Sequence, residues 1–343
     1  MNSKTQRILA QKLSEMDGNE RRTLYKQAAK VKKHTRSKNG KPDSLDEIVL
    51  GLLEQEEAIV SSDGPTSTGT VVWVGRKTCR VDSDECALNG HRVAVGDSVA
   101  VAEDRVQGIL PRKTLLSRPD PGNPNAELPI AANIDLVVIV VSAMSPPLHV
   151  RIIDRYLIAI ERSGAQAALV VNKLDLLEAA ERAEELSKLS AYRDVGIPII
   201  LASAESREGI SALRELVCGK LCAFVGHSGV GKSSLLNALD PGLAELTGAV
   251  SEGYGRGRHT TTWSSLHELE AGTRIIDTPG IRSLGLGELT AQELKWHFPE
   301  FDEARCKFSD CTHTHEPGCG VKASVGRRIR PDRYDTYLRL LSC

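Results

Sequence analysis

The sequence predicts a multidomain protein in which a small OB-like β-barrel precedes a doubly wound, largely parallel α/β domain and a C-terminal module rich in Cys and His. The barrel is indicated by β-branched runs separated by Gly and Asp, namely VVWVG, CRVDS, HRVAVGDSVAV and GILPR, at the spacing of five short strands. The α/β domain is indicated by apolar runs that alternate with amphipathic segments. We expect a basic arm and linker at 1–64, the barrel at 65–116, the α/β domain at 117–287, and at 288–343 a helical, metal-binding C-terminal module that ends in a basic helix.

The charged residues are unevenly distributed, although the net charge is only −1. Residues 1–43 contain 12 Lys and Arg against 4 Asp and Glu, whereas residues 44–64 contain six acidic residues and no Lys or Arg. The basic arm suits contact with phosphate backbones, and a solvated, disordered tail fits the same composition equally well. The charge pattern by itself leaves both interpretations open.

Hydropathy and cysteine usage predict a cytoplasmic protein that does not enter a membrane. The longest apolar run, IDLVVIVVSAM, is too short to cross a bilayer, and the N-terminus lacks the apolar stretch of a signal peptide. In a reducing compartment the eight Cys residues do not predict a disulfide framework. Three of them crowd into residues 306–319 and instead indicate a bound metal.

The α/β domain follows a Pro/Gly/Asn-rich connector at 117–125. Its strands are predicted to be parallel because amphipathic helices follow most of them, and ligands of such sheets bind at the carboxyl ends of the strands. The predicted strands are residues 134–143, 167–172, 198–203, 221–226 and 273–278.

A glycine-rich segment after the fourth of these strands has the form of a phosphate-binding loop. GHSGVGKSS, residues 226–234, fits G-x4-G-K-[ST]. In such a loop the glycines let backbone N–H groups face the phosphates, while Lys232 reaches the β and γ oxygens and Ser233 binds Mg²⁺. A chance glycine-rich turn is the alternative, which the strand-loop-helix context disfavours. The candidate nucleotide-binding residues here are Gly226, His227, Ser228, Gly229, Val230, Gly231, Lys232, Ser233 and Ser234.

The run LVVNKLDLL, residues 169–177, predicts that the bound base is guanine. The Asp175 carboxylate can accept two hydrogen bonds from the N1–H and the exocyclic amine of guanine, an edge that adenine lacks. Asn172 can contact the ring or bridge loops, and the Lys173 stem can cover the base. The four-residue match at 172–175 is weak evidence by itself. Its position at the end of a predicted strand strengthens it. Ser203 and Ala204, at the next strand end, are candidates for a second base-contacting loop.

Two further segments are candidates for magnesium and γ-phosphate contact. IIDTPG, residues 275–280, ends a strand and would let Asp277 hold Mg²⁺ through water and the Gly280 amide sense the γ-phosphate. GRGRHTTTW, residues 255–263, offers hydroxyls, and one of its three Thr residues should complete the Mg²⁺ shell. We favour Thr261 over Thr260 and Thr262; a plain surface loop is the alternative.

The base loop precedes the phosphate loop in this chain, the reverse of the usual order. Every candidate loop leaves the same sheet edge, so a circular permutation would change the chain order without moving the site. The chain resembles the circularly permuted GTPases of the RsgA (YjeQ/YloQ) family in AANIDLVVIV, DRYLIAIERSG, VNKLDLL, GHSGVGKSSLLNAL, GRHTTT, IDTPGIRSLGL and the cysteine cluster, over about residues 66–343. The resemblance implies a circularly permuted P-loop α/β GTPase domain and GTP hydrolysis stimulated by the 30S ribosomal subunit late in its maturation.

Hydrolysis requires an oriented water, and many GTPases place a Gln just after the DxxG motif. Here that position is Ile281, so we expect slow intrinsic turnover. His259 is the best candidate for a catalytic residue and matches the His that the resembled family is thought to use. A merely solvated His in a loop is the alternative.

The segment CKFSDCTHTHEPGC contains three thiols and two imidazoles within fourteen residues. Three thiolates and one imidazole suit a closed tetrahedral zinc site with a structural role. The predicted ligands are Cys306, Cys311, His313 and Cys319. His315 competes with His313, and the resembled family's spacing favours His313. Unrelated buried thiols are the alternative.

Three elements are candidates for RNA contact: the basic arm, the barrel and a C-terminal segment. Trp73 is the only aromatic residue of the barrel segment, so contact with the rRNA backbone fits better than base stacking. The sequence Leu88-Asn89-Gly90 replaces a basic Arg-Gly pair common in the resembled family. We therefore expect weaker contact between the barrel and rRNA than the resemblance implies. The C-terminal candidates are Lys322, Arg327, Arg328, Arg330 and Arg333.

The leading hypothesis is a monomeric GTPase that binds GTP and GDP with Mg²⁺, holds one structural zinc, contacts 16S rRNA, and times its release from the 30S subunit by hydrolysis. The alternative is an rRNA-binding placeholder for which GTP is only a conformational ligand. Ile281 keeps this alternative open.

Overall fold

The computed structural model describes residues 67–120, 123–242, 265–277 and 294–341. These residues form two compact units. The predicted basic arm and the acidic segment lie outside the described residues. The described part of the first unit comprises residues 67–115, 131–134 and 265–266, and that of the second comprises 116–120, 123–130, 135–242, 267–277 and 294–341.

The first unit contains a closed five-stranded barrel. Its strands pair in the order β1-β2-β3-β5-β4, and β1 also pairs with β4, which closes the ring. Alternating apolar positions along these strands fill the interior, including Val71, Val99 and Val106, each fully buried. The predicted OB-like barrel is confirmed. The strands are β1 (Ser67–Val74), β2 (Thr78–Val81), β3 (Asp84–Ala87), β4 (Ser98–Ala102) and β5 (Arg105–Ile109).

The predicted connector at 117–125 contains two strands that the sequence analysis did not predict. They are β6 (Leu115–Asp120) and β7 (Asn123–Ala132), which pair with each other in a two-stranded sheet. Pro lacks the N–H group that a central strand needs, so a Pro-rich composition is not typical of a strand. In a two-stranded ribbon both strands are edges, so a residue without a donor can be accommodated.

The second unit is built on a parallel sheet, as predicted. The strand order is β10-β9-β8-β11-β13-β12, and every pairing from β10 to β13 is parallel. All seven residues of β8 are buried, which explains its continuous Val/Ile/Leu run. The strands are β8 (Leu136–Ser142), β9 (Gln166–Asn172), β10 (Ile199–Leu201), β11 (Leu221–Val225), β12 (Ser265–Glu268) and β13 (Arg274–Asp277).

Helices follow the strands that carry the candidate site. The first, α1 (Val150–Ser163), ends at Gly164, whose left-handed φ of 88° provides a Gly C-cap. Its buried residues fall on two faces, one with Ile153, Tyr156 and Ile160 and the other with Asp154 and Ile158. The other helices of this domain are α2 (Ala179–Ser187), α3 (Ser190–Asp194), α4 (Ile210–Val217) and α5 (Lys232–Leu239).

The C-terminal module belongs to the same compact unit. It contains two short 3-10 helices, Lys295–His297 and Pro299–Phe301, followed by α6 (Gly320–Ser324) and α7 (Pro331–Leu341). Its core is aromatic and aliphatic, and it includes Ile158 of α1. Among the residues described, no helix has the length and apolar character needed to span a membrane.

Candidate functional site

The phosphate-binding loop lies between the end of β11 and the start of α5. Gly226 has a φ of 147°, and a Cβ there would lie 2.2 Å from the Val140 carbonyl oxygen, so the loop requires Gly at this position. The Lys232 Nζ donates to the carbonyl oxygens of Gly226 and His227, both at 2.7 Å. His227, Ser228 and Ser233 are exposed, so the loop opens to solvent.

Tyr156 of α1 is a buried residue near this loop. It is 5 % exposed, and burial raises the pKa of its phenol, an effect that Arg155 and the Gly226 backbone partly offset. Sequence reasoning did not single out Tyr156, because nothing in a helical apolar pattern distinguishes it from other core residues.

Asn172, the last residue of β9, joins three loops. Its side chain is buried. The amide Nδ2 donates to the Val230 carbonyl oxygen of the phosphate loop at 2.9 Å, and Oδ1 accepts from the backbone N–H of Ala204 at 3.2 Å. Of the two roles left open for Asn172, contact with the ring or bridging of loops, the structure shows the bridge.

Asp175 and Lys173 each form a hydrogen bond with a residue of another segment. The Asp175 carboxylate is exposed, and its Oδ1 accepts a hydrogen bond of 2.5 Å from the Ser203 hydroxyl. Lys173 adopts a left-handed φ of 63°, and its Nζ donates to the Ser145 carbonyl oxygen at 2.6 Å. The guanine-reading candidates and the second base loop are therefore in direct contact.

The structure brings these candidates to one edge of the sheet. β8 pairs in parallel with both β9 and β11, so the base loop after β9 and the phosphate loop after β11 leave the same edge. Asp277 ends β13 next to β11. His259, Thr260, Thr261, Thr262, Gly280 and Ile281 lie outside the described residues.

The predicted metal ligands converge in the C-terminal module. One ligand atom from each of Cys306, Cys311, His313 and Cys319 lies within 4.8 Å of the other three. The Cys306 Sγ is 3.5 Å from His313 Nδ1 and 4.0 Å from Cys319 Sγ. Tetrahedral zinc with bonds of about 2.3 Å to sulfur and about 2.0–2.1 Å to nitrogen separates its ligands by about 3.8 Å (S to S) and about 3.6 Å (S to N). The geometry fits a zinc ion.

The acid-base properties of the cluster partly favour metal binding. Burial opposes the Cys306 thiolate, but backbone N–H groups of Val321 and Gly320 stabilise it, and its pKa is lowered. Burial lowers the pKa of His313, which favours the neutral imidazole that a metal needs. Burial raises the pKa of Cys311 to about 12, so a metal must displace that proton.

The loop around His313 is held by residues that sequence reasoning missed. Glu316 accepts from the Thr312 hydroxyl at 2.5 Å and from the Thr312 and Thr314 backbone N–H groups at 2.7 and 3.0 Å. The hydroxyl bond first, and the backbone bonds after it, lower the pKa of the Glu316 carboxyl. The Tyr334 hydroxyl donates to the His313 carbonyl oxygen at 2.6 Å. His315, the competing ligand, is exposed and outside the cluster.

The C-terminal arginines do not form one surface. Arg327 and Arg328 are exposed, as contact with RNA would require. Arg333 is only 7 % exposed and is bonded to Asp154 and Glu300. Its prediction as an RNA contact is therefore wrong, because its guanidinium is used inside the protein.

Comparisons with known proteins agree with this site. The model of the RsgA GTPase family matches residues 109–287. The small ribosomal subunit biogenesis GTPase RsgA of Haemophilus influenzae (strain 86-028NP) is 44% identical over 239 residues, 69% of this chain and 68% of the relative. The crystal structure of YjeQ from Thermotoga maritima matches with a TM-score of 0.65 and 31% identity, covering 81% of this chain and 98% of that chain. The structure of YloQ, described as a circularly permuted GTPase, matches with a TM-score of 0.61 and 27% identity over 82% of this chain and 96% of that chain.

The contacts of Asp175 predict a switch in base preference. In Asp175→Asn one carboxylate oxygen becomes an amide, which repels the guanine amine but can donate to the carbonyl that xanthine carries at that position. We expect GTP affinity to fall by about a hundredfold, as the loss of two charge-assisted hydrogen bonds implies, and XTP affinity to rise. Titration with fluorescent GTP and XTP measures both. Unchanged GTP affinity, or equal competition by ATP in the unsubstituted protein, would contradict the assignment.

The metal cluster predicts a change in metal content and stability. Cys311→Ser removes a buried ligand, so we expect bound zinc to fall from one ion per chain to about none and thermal unfolding to occur at lower temperature. Elemental analysis and calorimetry measure these effects. Cys218→Ser is the matched control, because Cys218 is exposed and distant in sequence. Equal zinc content in both variants would exclude the cluster as the site.

Proposed function

This chain belongs to the RsgA GTPase family, and from that premise we propose that it acts in late maturation of the 30S ribosomal subunit and hydrolyses GTP to GDP and phosphate to time its release. The family membership makes the chain a GTP hydrolase. The small-subunit role is supported by the relatives that carry the name small ribosomal subunit biogenesis GTPase.

One observation carries the assignment to guanine nucleotides, the Asn172 bridge. It joins the loop that holds Asp175 to the loop that holds Lys232, although 58 residues separate Asn172 from Val230. The loop with the Asp175 carboxylate, proposed to contact the base, and the loop with the Lys232 ammonium group, proposed to contact the phosphates, therefore start from the same short stretch of the sheet edge. A single guanosine triphosphate fits this arrangement of charges.

We assign roles to the site residues on this basis. Lys232 and the phosphate-loop N–H groups bind the phosphates, while Asn172, Lys173, Asp175, Ser203 and Ala204 form the base site. The magnesium ion that accompanies GTP neutralises charge on the phosphates. Its proposed ligands are Ser233, Thr261 and Asp277, with the Gly280 amide facing the γ-phosphate.

Turnover is proposed to depend on the partner. Ile281 follows the DTPG motif and cannot orient water, so His259 is the proposed catalytic residue. Binding to the small subunit would supply what the isolated protein lacks for fast turnover. Slow hydrolysis in solution and fast hydrolysis on the ribosome follow from this arrangement.

The proposed RNA contacts are electrostatic. The barrel exposes Arg76, Lys77 and Arg80 around the turn that joins β1 to β2. It also exposes acidic residues near the β2–β3 turn, including Asp82 and Asp84, so its charge is mixed. Contact with the backbone of 16S rRNA at the basic turn fits this surface better than base stacking.

The remaining assignments follow from the same premise. The C-terminal cluster is proposed to hold one structural zinc, since its four ligands leave no position for water. The chain is proposed to act as a monomer in the cytoplasm, where ribosomal subunits mature.

The alternative function is an rRNA-binding placeholder that uses GTP only as a conformational ligand. Ile281 favours this alternative, because the residue at that position does not assist hydrolysis. The two functions differ in whether the small subunit accelerates turnover.

The proposed function predicts that purified 30S subunits raise the GTPase rate by about a hundredfold or more, because a positioned catalytic group contributes about 10²–10⁴-fold. Phosphate release with and without subunits measures this rate. We also expect the GTP-analogue state to co-sediment with 30S subunits more strongly than the GDP state.

Isolated 50S subunits serve as the control and should not stimulate. A rate that 30S subunits leave unchanged, with intact co-sedimentation, would support the placeholder instead.

A further inference from the structure

The metal cluster of the C-terminal module contains His313 and not His315, although both lie in the same short loop at 311–316, called here the ligand loop. The His313 Nδ1 is 3.5 Å from the Cys306 Sγ and 3.6 Å from the Cys319 Sγ. His315 is exposed, and its Nδ1 is 2.9 Å from the Thr314 hydroxyl. Both residues offer the same imidazole, so the conformation of the ligand loop decides which of them can become a ligand.

The backbone of His313 is strained. Its φ is 61°, in the left-handed region that residues with a Cβ rarely adopt. A conformation of this kind persists only where the surrounding structure holds it. Contacts from other residues are therefore needed to keep His313 in the geometry of a ligand.

The Glu316 carboxylate holds the ligand loop both before and after His313. Its Oε1 accepts from the Thr312 backbone N–H at 2.7 Å and from the Thr312 hydroxyl at 2.5 Å. Its Oε2 accepts from the Thr314 backbone N–H at 3.0 Å. Hydrogen bonds to a carboxylate are about twice as strong as those between neutral groups. Both oxygens are used within the loop and Glu316 is not one of the four converging residues, so it orients the loop rather than coordinating a metal.

The carbonyl groups of the ligand loop are held by α7. The Tyr337 hydroxyl donates to the Thr312 carbonyl oxygen at 2.8 Å, and the Tyr334 hydroxyl donates to the His313 carbonyl oxygen at 2.6 Å. The His313 imidazole lies edge-on to the Phe301 ring, with 5.5 Å between the ring centroids. These contacts attach the loop to the module. The Glu316 bonds fix its turn at His313, because they join the residue before His313 to the residue after it.

We propose that Glu316 is a positioning residue that selects His313 as the imidazole ligand of the zinc site. By binding the N–H groups of Thr312 and Thr314, it holds the left-handed turn that places His313 in the cluster and leaves His315 at the surface. The ligand set is then formed before a metal arrives, which raises metal affinity because the loop need not be ordered on binding. The inference rests on the proposed zinc site and adds to it the determinant of ligand choice.

Zinc affinity tests this role, measured on the full chain by competition with a chromophoric chelator. Glu316→Ala removes all the bonds from the carboxylate. We expect zinc to bind about 10–100-fold more weakly, as is typical when a residue that orients a metal ligand is lost. Glu303→Ala is the matched control, because the Glu303 side chain is 80% exposed and pairs with the exposed Arg328 of the same module. Its zinc affinity should equal that of the unsubstituted protein.

Two conservative variants separate orientation of the loop from simple attraction between charges. Glu316→Gln keeps the length of the side chain and one acceptor oxygen but loses the charge, so it should retain part of the affinity. Glu316→Asp keeps the charge on a shorter side chain that cannot reach both N–H groups, so it should bind zinc as weakly as Glu316→Ala. The reverse order, with full affinity in Glu316→Asp and none retained in Glu316→Gln, would indicate charge attraction and overturn the proposal.

The choice between the two histidines is tested by a double-mutant cycle with His315→Ala. While Glu316 is present, this substitution should leave zinc affinity unchanged, because His315 takes no part in the site. In Glu316→Ala the loop can offer either imidazole, so the addition of His315→Ala should weaken zinc binding further. An equal effect of His315→Ala with and without Glu316 would show that Glu316 does not select the ligand, and would overturn the proposal.

Unaltered zinc affinity in Glu316→Ala would overturn it as well. Circular dichroism and thermal unfolding of the zinc-saturated variants identify those that fold. If Glu316→Ala does not fold, the comparison of Glu316→Gln with Glu316→Asp decides alone. Failure of the unsubstituted protein to bind zinc would instead refute the metal site itself and leave the nucleotide site and the proposed GTPase function untouched.

Discussion

The candidate nucleotide site depends on the buried Asn172 amide. Its donor and acceptor are both used, one on the phosphate loop and one on the second base loop. Loss of either bond would leave a buried polar group unpaired, at a cost of about 1–3 kcal/mol. The same contact restricts the phosphate loop, because a Cβ at Gly231 would lie 2.3 Å from Asn172 Nδ2. The glycine before Lys232 is therefore required by its neighbour as well as by its φ of 88°.

Because the site depends on contacts between loops in space, the order of these loops along the chain can vary. What the site needs is that the loops after β9, β10 and β11 leave one edge of a parallel sheet, and sheet order is set by pairing rather than by succession along the chain. Asn172 contacts Val230 across strands that are not neighbours, since β8 lies between β9 and β11. A guanine loop placed before the phosphate loop can thus occupy the same position in space as one placed after it.

The sequence predicted the parts of the fold that depend on local pattern. The buried strands, the closed barrel and the convergence of four metal ligands follow from apolar runs, turn residues and Cys/His spacing. It did not predict the β6–β7 pairing, where Pro-rich composition masked two edge strands. It also misassigned Arg333, because a basic residue in a basic segment looks solvated. Its partner Asp154 lies 179 residues away in the chain, and only the fold brings the two together.

The C-terminal module is stabilised in part by its contact with helix α1 of the α/β domain. A module of this size buries too little apolar surface to be stable alone and needs a metal or a partner. This one has four residues that could hold a zinc ion, and its core is completed by Ile158 from α1. The face of α1 that carries Ile158 cannot move without disturbing the core of the module. The segment just before α1 is held to the base loop, because the Ser145 carbonyl oxygen accepts a hydrogen bond from Lys173 Nζ. The stability of the module and the position of the base loop therefore both involve α1 and the segment that leads into it.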